Sequence, residues 1–450
     1  MNCNKLKTLL LFAVIFSVNL NAQNRSIQVA NAPSSAALME LEGEKTNEID
    51  SVFSANDTFT FSMEGKHPGL YRLRFDHMHF INFIYDGEDV EIKSDFNNIS
   101  DSLKVIKSES NKLYYKFIRL NKAFKTKTEL LNVILQRYPK DDDYYETTLK
   151  KFEALKYEYS FFVNVTSQKE PESFIARYVR SSQLPLIDGT LSFEEQVKYL
   201  KSHALDNVDF NDDELTYSDC FSNKSIEYLM YYRNPQAPKG LLEKEFMRAV
   251  DTLLMKARKN IFVYQHIAEY LIDGFKKFGF NNIVDYVIEN YVIKDDLCLD
   301  EKLGTSLQNR IDQAQKLKIG NVVPNIILPD TSGNEIDLSK LKSEKILILF
   351  YASWCPHCQE IVPEIFKLYD KQKEKKIDVL AVSLDEKRVE WIKFIKDNNL
   401  NWLNVSDLKG WSGKAASDYY IYATPTMFLV DKARKIIAKP LTIIEMKELF

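Results

Sequence analysis

Lys345-Ile346-Leu347-Ile348-Leu349-Phe350-Tyr351-Ala352-Ser353-Trp354-Cys355-Pro356-His357-Cys358 is the stretch on which the reading of this chain turns. Its first seven residues form an almost unbroken apolar run, suited to a strand buried on both faces. Two cysteines separated by two residues follow at once, at the start of a helix expected from Cys355 to Lys376. The N-terminal end of a helix carries positive dipole potential, which favours the thiolate form of the first cysteine. Cys355 is therefore the expected nucleophile. Cys358, one turn further on, is the expected resolving thiol, which attacks a mixed disulfide and frees the substrate. His357 lies between the two, where it can add positive charge or donate a hydrogen bond to the thiolate, and stabilising a thiolate makes the disulfide a better oxidant.

Working outward, Ile377 to Ser383 reads as a second buried strand and Glu386 to Asn398 as a helix, with Thr426 to Val430 as a strand after Pro425. Upstream, Ile326 to Leu328, a turn at Asp330 to Asn334, and Glu335 to Leu338 read as strand, turn and strand. This βαβαβ order implies a mostly parallel core with an antiparallel end. Thr424-Pro425 is the second signature: a cis-proline facing the dithiol would remove an amide donor and leave the backbone of Thr424 free to pair with an extended substrate segment. Taken alone it is an ordinary turn proline; its pairing with the upstream dithiol changes that. Cys-x-x-Cys is also half of a zinc site, which needs two more ligands. The other cysteines beyond residue 22, Cys220 and Cys298, stand alone in a helical region, and His67, His77 and His79 lie far upstream, so no metal and no cofactor are expected.

Residues from about 318 to 450 resemble a thioredoxin-fold domain of the TlpA-like and ResA-like exported thiol-disulfide oxidoreductases. The motifs that carry this are the apolar strand Leu347 to Tyr351, Trp354-Cys355-Pro356-His357-Cys358, Pro363-Glu364 and Thr424-Pro425, in that order. The resemblance implies a redox site of Trp354, Cys355, Pro356, His357 and Cys358, with Thr424 and Pro425 binding substrate. It also implies a reductase role, substrate proteins bearing thiols or disulfides, and a membrane redox donor or acceptor as partner. Two departures stand out. Thioredoxins carry a buried Asp six residues before the first cysteine, where this chain has Leu349; many cytochrome-maturation members carry a Glu three residues after the second, where it has Ile361, with Glu360 one position earlier. No proton acceptor for Cys358 is visible in the sequence.

The remaining residues set the organisation. Residues 1–22 read as a secretory signal, with Lys5 and Lys7 ahead of an apolar run from Leu9 to Val18 and a small residue at Ala22. Cleavage there implies a periplasmic or cell-envelope location, where disulfides persist. From 23 to 105, alternation at Thr58 to Ser62, and Phe80 to Tyr85 ahead of Asp86-Gly87, suggest a β-rich domain of hairpins, which resembles more weakly the N-terminal domain attached to such proteins in Bacteroidetes. From 106 to 316, apolar spacing near 3.6 predicts an α-helical region, and 317–450 is the α/β thioredoxin-like domain, so the fold class is multidomain. The 450 residues carry 60 basic and 64 acidic side chains, a balance that gives no global driving force for nucleic-acid binding, and 45% hydrophobic residues, enough to fill real cores. Cys220 and Cys298 read either as a disulfide or as two separate buried thiols, and Trp391, Trp402 and Trp411 as packing residues. Two other functions fit parts of the pattern. One is an envelope binding or scaffold protein with a regulatory dithiol; the other is a thiol peroxidase, whose active cysteine would follow a proline rather than precede one.

Overall fold

The computed structural model describes residues 25–449 apart from 296, 298, 300–304, 372–376 and 441. The expected signal at 1–22, and Cys298, lie outside the described residues. The chain separates into two compact units that divide between Val287 and Ile288.

Among its described residues the first unit opens on an eight-stranded sheet. Its strands are β1 (Arg25–Ala30), β2 (Ser35–Glu42), β3 (Lys45–Ala55), β4 (Thr58–Thr60), β5 (Gly69–Arg74), β6 (Phe80–Tyr85), β7 (Val90–Asp95) and β8 (Lys104–Lys107). They are hydrogen-bonded in the order β6-β5-β2-β3-β4-β1-β7-β8, antiparallel throughout except where β1 runs parallel to β7. Alternation decides which side chains face the core. Ile27, Leu38, Phe59, Leu73, Ile81, Phe83 and Ile92 are fully buried, and between the buried Phe59 and Phe61 lies the exposed Thr60. Asn56 and Asp57, between β3 and β4, both take positive φ, 52° and 57°, as a tight hairpin turn requires and as these two residue types tolerate. Gly43, in the tight turn between β2 and β3, sits at φ +65°.

The helical part of this unit starts at Glu109–Arg137, capped by Ser108, whose hydroxyl accepts from the Asn111 amide. Asn111, completely buried, joins that helix to β6: its side-chain oxygen accepts from the Ile84 N–H at 2.8 Å and its nitrogen donates to the Ile84 carbonyl at 2.7 Å. One turn on, the Tyr115 hydroxyl donates to the Asn82 carbonyl at 2.5 Å. The helix Asp143–Lys169 packs along the first, and Phe174–Ser182, Phe193–His203, Cys220–Met230, Lys239–Ala257, Ile261–Lys277 and Asn281–Val287 follow. The β2–β3 turn is tied to them, because the Gly43 amide donates to the Ser218 carbonyl at 3.0 Å.

The second unit holds a five-stranded sheet in the order β13-β12-β11-β14-β15. Here β11 is Lys345–Tyr351, β12 Ile377–Ser383, β13 Leu403–Val405, β14 Thr426–Asp431 and β15 Ile436–Ala438, while β9 (Ile327–Pro329) and β10 (Glu335–Asp337) form a separate hairpin. β12 and β13 run parallel to β11, while β14 runs antiparallel to β11 and β15 antiparallel to β14, the mixed arrangement expected from the sequence. Ile346 to Tyr351 have no exposed surface, as a central strand covered on both faces demands. The helix Pro356–Asp370 packs on β12 and on the C-terminal helix Ile443–Leu449. β11 and β12 end side by side, and the chain leaving β11 runs straight into the dithiol.

Candidate redox site

Pro356 occupies the first turn of the helix Pro356–Asp370, where its missing N–H costs nothing and its fixed φ suits the entry. This makes Cys355 the residue that caps the helix, with extended backbone (φ -82°, ψ 118°) and a side chain that makes no capping bond. Its sulfur is thus left for chemistry, at the positive end of the helix. It donates to the carbonyl oxygen of Thr424 at 3.3 Å, across a Thr424-Pro425 peptide that is cis. The approach to the helix is held by the Cys355 amide on the Ala352 carbonyl at 3.2 Å and by the Gln359 side chain on the Ser353 carbonyl at 2.8 Å.

The two thiols differ in access. Cys355 is 6% exposed and Cys358 fully buried, and neither forms a disulfide. Burial pushes the Cys358 thiol up to about 12, and the neighbouring Cys355 sulfur adds to the rise, against an opposing contribution from the Ala352 backbone. Cys355 can therefore be reached first, and Cys358 waits behind it as a protonated thiol. The buried Tyr351 phenol lies within electrostatic reach of both Cys358 and Asp385; it accepts from the Trp391 indole at 2.9 Å.

Asp385 is a part of this site that the sequence reading missed. It is 1% exposed and accepts from the Ser353 amide at 3.1 and 3.2 Å, from the Ser353 hydroxyl at 2.5 Å and from the Ser383 hydroxyl at 2.6 Å. A buried carboxylate supplied with several donors is a strong fixture, and this one holds the loop that delivers Trp354 and Cys355. The signal was present: an acidic residue two positions after a buried parallel strand lies at the sheet end where α/β proteins place their sites.

Residues 319–439 match the AhpC/TSA family, and residues 24–114 match a domain of unknown function, DUF4369. The thiol-disulfide oxidoreductase ResA of Bacillus cereus is 32% identical over 142 residues, which cover 31% of this chain and 80% of that protein. The chain belongs to the ResA-like thiol-disulfide oxidoreductases. Among solved structures, the thioredoxin domain of a thiol-disulfide oxidoreductase from Bacteroides vulgatus is 29% identical with a TM-score of 0.28, covering 30% of this chain and 95% of that one. A thioredoxin-like protein from Bacteroides caccae is 21% identical with a TM-score of 0.38, covering 59% and 96%.

In this ResA-like oxidoreductase the structure brings Cys355, Cys358, Thr424 and Pro425 together, with Trp354 49% exposed beside them. His357 and Pro356 face solvent, and among the described residues the His357 ring makes no hydrogen bond to either sulfur. Leu349 is buried core and Glu360 is exposed, so neither supplies a carboxylate to Cys358. Trp391 and Trp402 are buried packing residues as read from the sequence, but Trp411 is 44% exposed, its ring centroid 6.3 Å from that of Trp354. Among the described residues no group of three or more His, Cys, Asp or Glu side chains is placed to hold a metal ion, and no helix is long and apolar enough to cross a membrane.

Proposed function

We propose that this oxidoreductase is exported and reduces disulfides in substrate proteins through Cys355 and Cys358. The observation that carries the reading is the uncapped Cys355 sulfur at the helix N-terminus, against the Thr424 carbonyl, with the buried Cys358 behind it. The Cys355 thiolate attacks one sulfur of a substrate disulfide, forming a Cys355–substrate bond and releasing the other sulfur as a thiolate. Cys358 then gives up its proton and attacks the Cys355 sulfur. The Cys355–Cys358 disulfide forms, the second substrate thiolate leaves, and two electrons have passed to the substrate. A dithiol donor at the membrane, the partner that the resemblance to this family implies, reduces the Cys355–Cys358 disulfide and restores the pair.

The reducing direction is supported by the surroundings of the nucleophile: strong oxidants stabilise its thiolate in their reduced form, whereas among the described residues the exposed His357 ring makes no hydrogen bond to the Cys355 sulfur. The Trp354 ring, next to Cys355 in the chain, and the neighbouring Trp411 ring offer exposed aromatic surface suited to apolar segments of a partly unfolded substrate, and Thr424 supplies a backbone edge for it. The proline after Cys355, rather than before it, sets the site apart from a peroxidase.

The test is a trap. In cells that export the protein, Cys358→Ala leaves the first bond unresolved and should accumulate thiol-sensitive adducts that the Cys355→Ala, Cys358→Ala double variant lacks. A Cys358→Ala protein without adducts would sink the exchange reading. Equilibration in dithiothreitol buffers should place the potential near about -270 mV; a value near about -120 mV would reverse the direction.

A further inference from the structure

The first unit contains a cavity of about 800 Å³ between the β2–β3 turn and the helices Cys220–Met230, Lys239–Ala257 and Ile261–Lys277. That volume lies within the range of small-molecule sites, about 300–1,000 Å³. Its wall is mostly carbon, from residues such as Ile226, Leu229, Met230, Leu242, Phe246 and Phe275. Packing does not cover all of it: Ile226 is 47% and Met230 50% exposed. Wet apolar surface gathered on one concave wall is what a ligand with an apolar body would cover.

The polar groups facing the cavity divide into two kinds. The charged ones are paired or in water. Lys45 bonds Glu269 at 3.1 Å, the other Glu269 oxygen accepts from Gln265 at 3.2 Å, Glu44 is hydrogen-bonded to Tyr270, and Glu42, Arg233, Asp273 and Lys277 are solvent-exposed. The two buried polar atoms that lack a partner are both on uncharged groups: Ser222 Oγ, in a residue with no exposed surface, and His266 Nε2. Burial lowers the His266 pKa to about 4, so its ring is neutral near pH 7. Both atoms face the same spot, lying 2.7 Å and 3.0 Å from the position that a Cβ on Gly43 would occupy. A side chain on Gly43 would collide with both groups, so the glycine lets the β2–β3 turn close against them, and the two atoms sit near enough to each other to meet a single head group. A buried polar atom left unpaired carries an uncompensated desolvation cost, and a ligand that bonds to it removes that cost.

We propose that this cavity binds a neutral small molecule with an apolar or aromatic body, whose single hydrogen-bonding head, a hydroxyl or an amide, is held by Ser222 and His266. The body lies on the Leu229, Phe246 and Phe275 wall. The site belongs wholly to the first unit and does not depend on the dithiol.

Two probes of nearly equal shape, 2-naphthol and naphthalene, test this by fluorescence titration of the full chain. The expected result is saturable 1:1 binding of both, with 2-naphthol at least fivefold tighter. Ser222→Ala and His266→Phe should each weaken 2-naphthol about fivefold and leave naphthalene within twofold. Leu229→Trp, which fills the apolar end, should abolish both, and Cys355→Ala should alter neither. Circular dichroism of each variant separates loss of a site from loss of fold, and Ser222→Thr, which keeps the hydroxyl, should retain the preference for 2-naphthol. Absence of saturable binding to the wild-type chain would overturn the proposal. So would a preference for 2-naphthol that survives both Ser222→Ala and His266→Phe.

Discussion

Resolution by Cys358 should be limited by deprotonation throughout the neutral range. The thiol is buried and pushed up from 9.0 to about 12. At pH 7 about one molecule in 10⁵ then carries the thiolate, against about one in 10² for an unshifted thiol, a thousandfold difference worth about 4 kcal/mol. Burial, the largest cause, persists when Cys355 is tied up in a mixed disulfide. A raised thiol is protonated at neutral pH, so the rate must climb as pH rises. The assay mixes the reduced full chain with an equivalent of an aromatic disulfide in a stopped-flow instrument. The first aromatic thiol released reports attack by Cys355, and the second reports resolution. The second phase should accelerate about tenfold per pH unit from pH 7 to 10 without levelling. Ile361→Glu, which places a carboxylate one helical turn beyond Cys358, should raise the rate at pH 7 and flatten that slope. A plateau near pH 9 in the unsubstituted chain would show that Cys358 titrates as an ordinary thiol and refute the reasoning.

Asp385→Asn keeps the size of the side chain but replaces one acceptor oxygen by a donor facing Ser353. It should lower stability by roughly 1–3 kcal/mol and slow the first phase, with the pH slope of the second unchanged; thermal melts and the same stopped-flow traces check this, and a variant matching the wild type in both would mean the carboxylate does not hold the loop. Trp411→Ala removes the exposed ring beside Trp354. It should reduce the rate with an unfolded, disulfide-bearing protein severalfold while leaving the small aromatic disulfide within twofold, and equal losses on both would assign Trp411 to packing instead.

The dithiol was legible in the sequence because its chemistry is local: Cys355, Pro356 and Cys358 lie within one turn, and the strand that aims them is a continuous apolar run. Thr424-Pro425 was legible only through its pairing with the upstream dithiol, since nothing within its own few residues distinguishes it from a turn. Asp385 escaped because its partner Ser353 is 32 positions away and the two meet only when β11 and β12 pair in parallel. Trp411 escaped for the opposite reason, a large aromatic being buried more often than not. The short strands β13 and β15, three residues each, left no period to read. In the first unit the strands Thr58–Thr60 and Phe80–Tyr85 followed from alternation, but no hairpin signal could reveal that β1 lies parallel to β7.

The contacts of Asn111 and Tyr115 bear on a hazard of sheet edges. β6 is the last strand on its side of the eight-stranded sheet, and the bare N–H and C=O groups of such a strand invite any extended chain to join it. A carboxamide carries the same donor and acceptor as a peptide bond, so Asn111 meets Ile84 as the backbone of a neighbouring strand would, and Tyr115 takes the carbonyl two residues earlier. The helix Glu109–Arg137 therefore serves as a counterfeit ninth strand. The sheet is thereby closed on that side to uninvited strands, whether from a second copy of the chain or from any other extended segment.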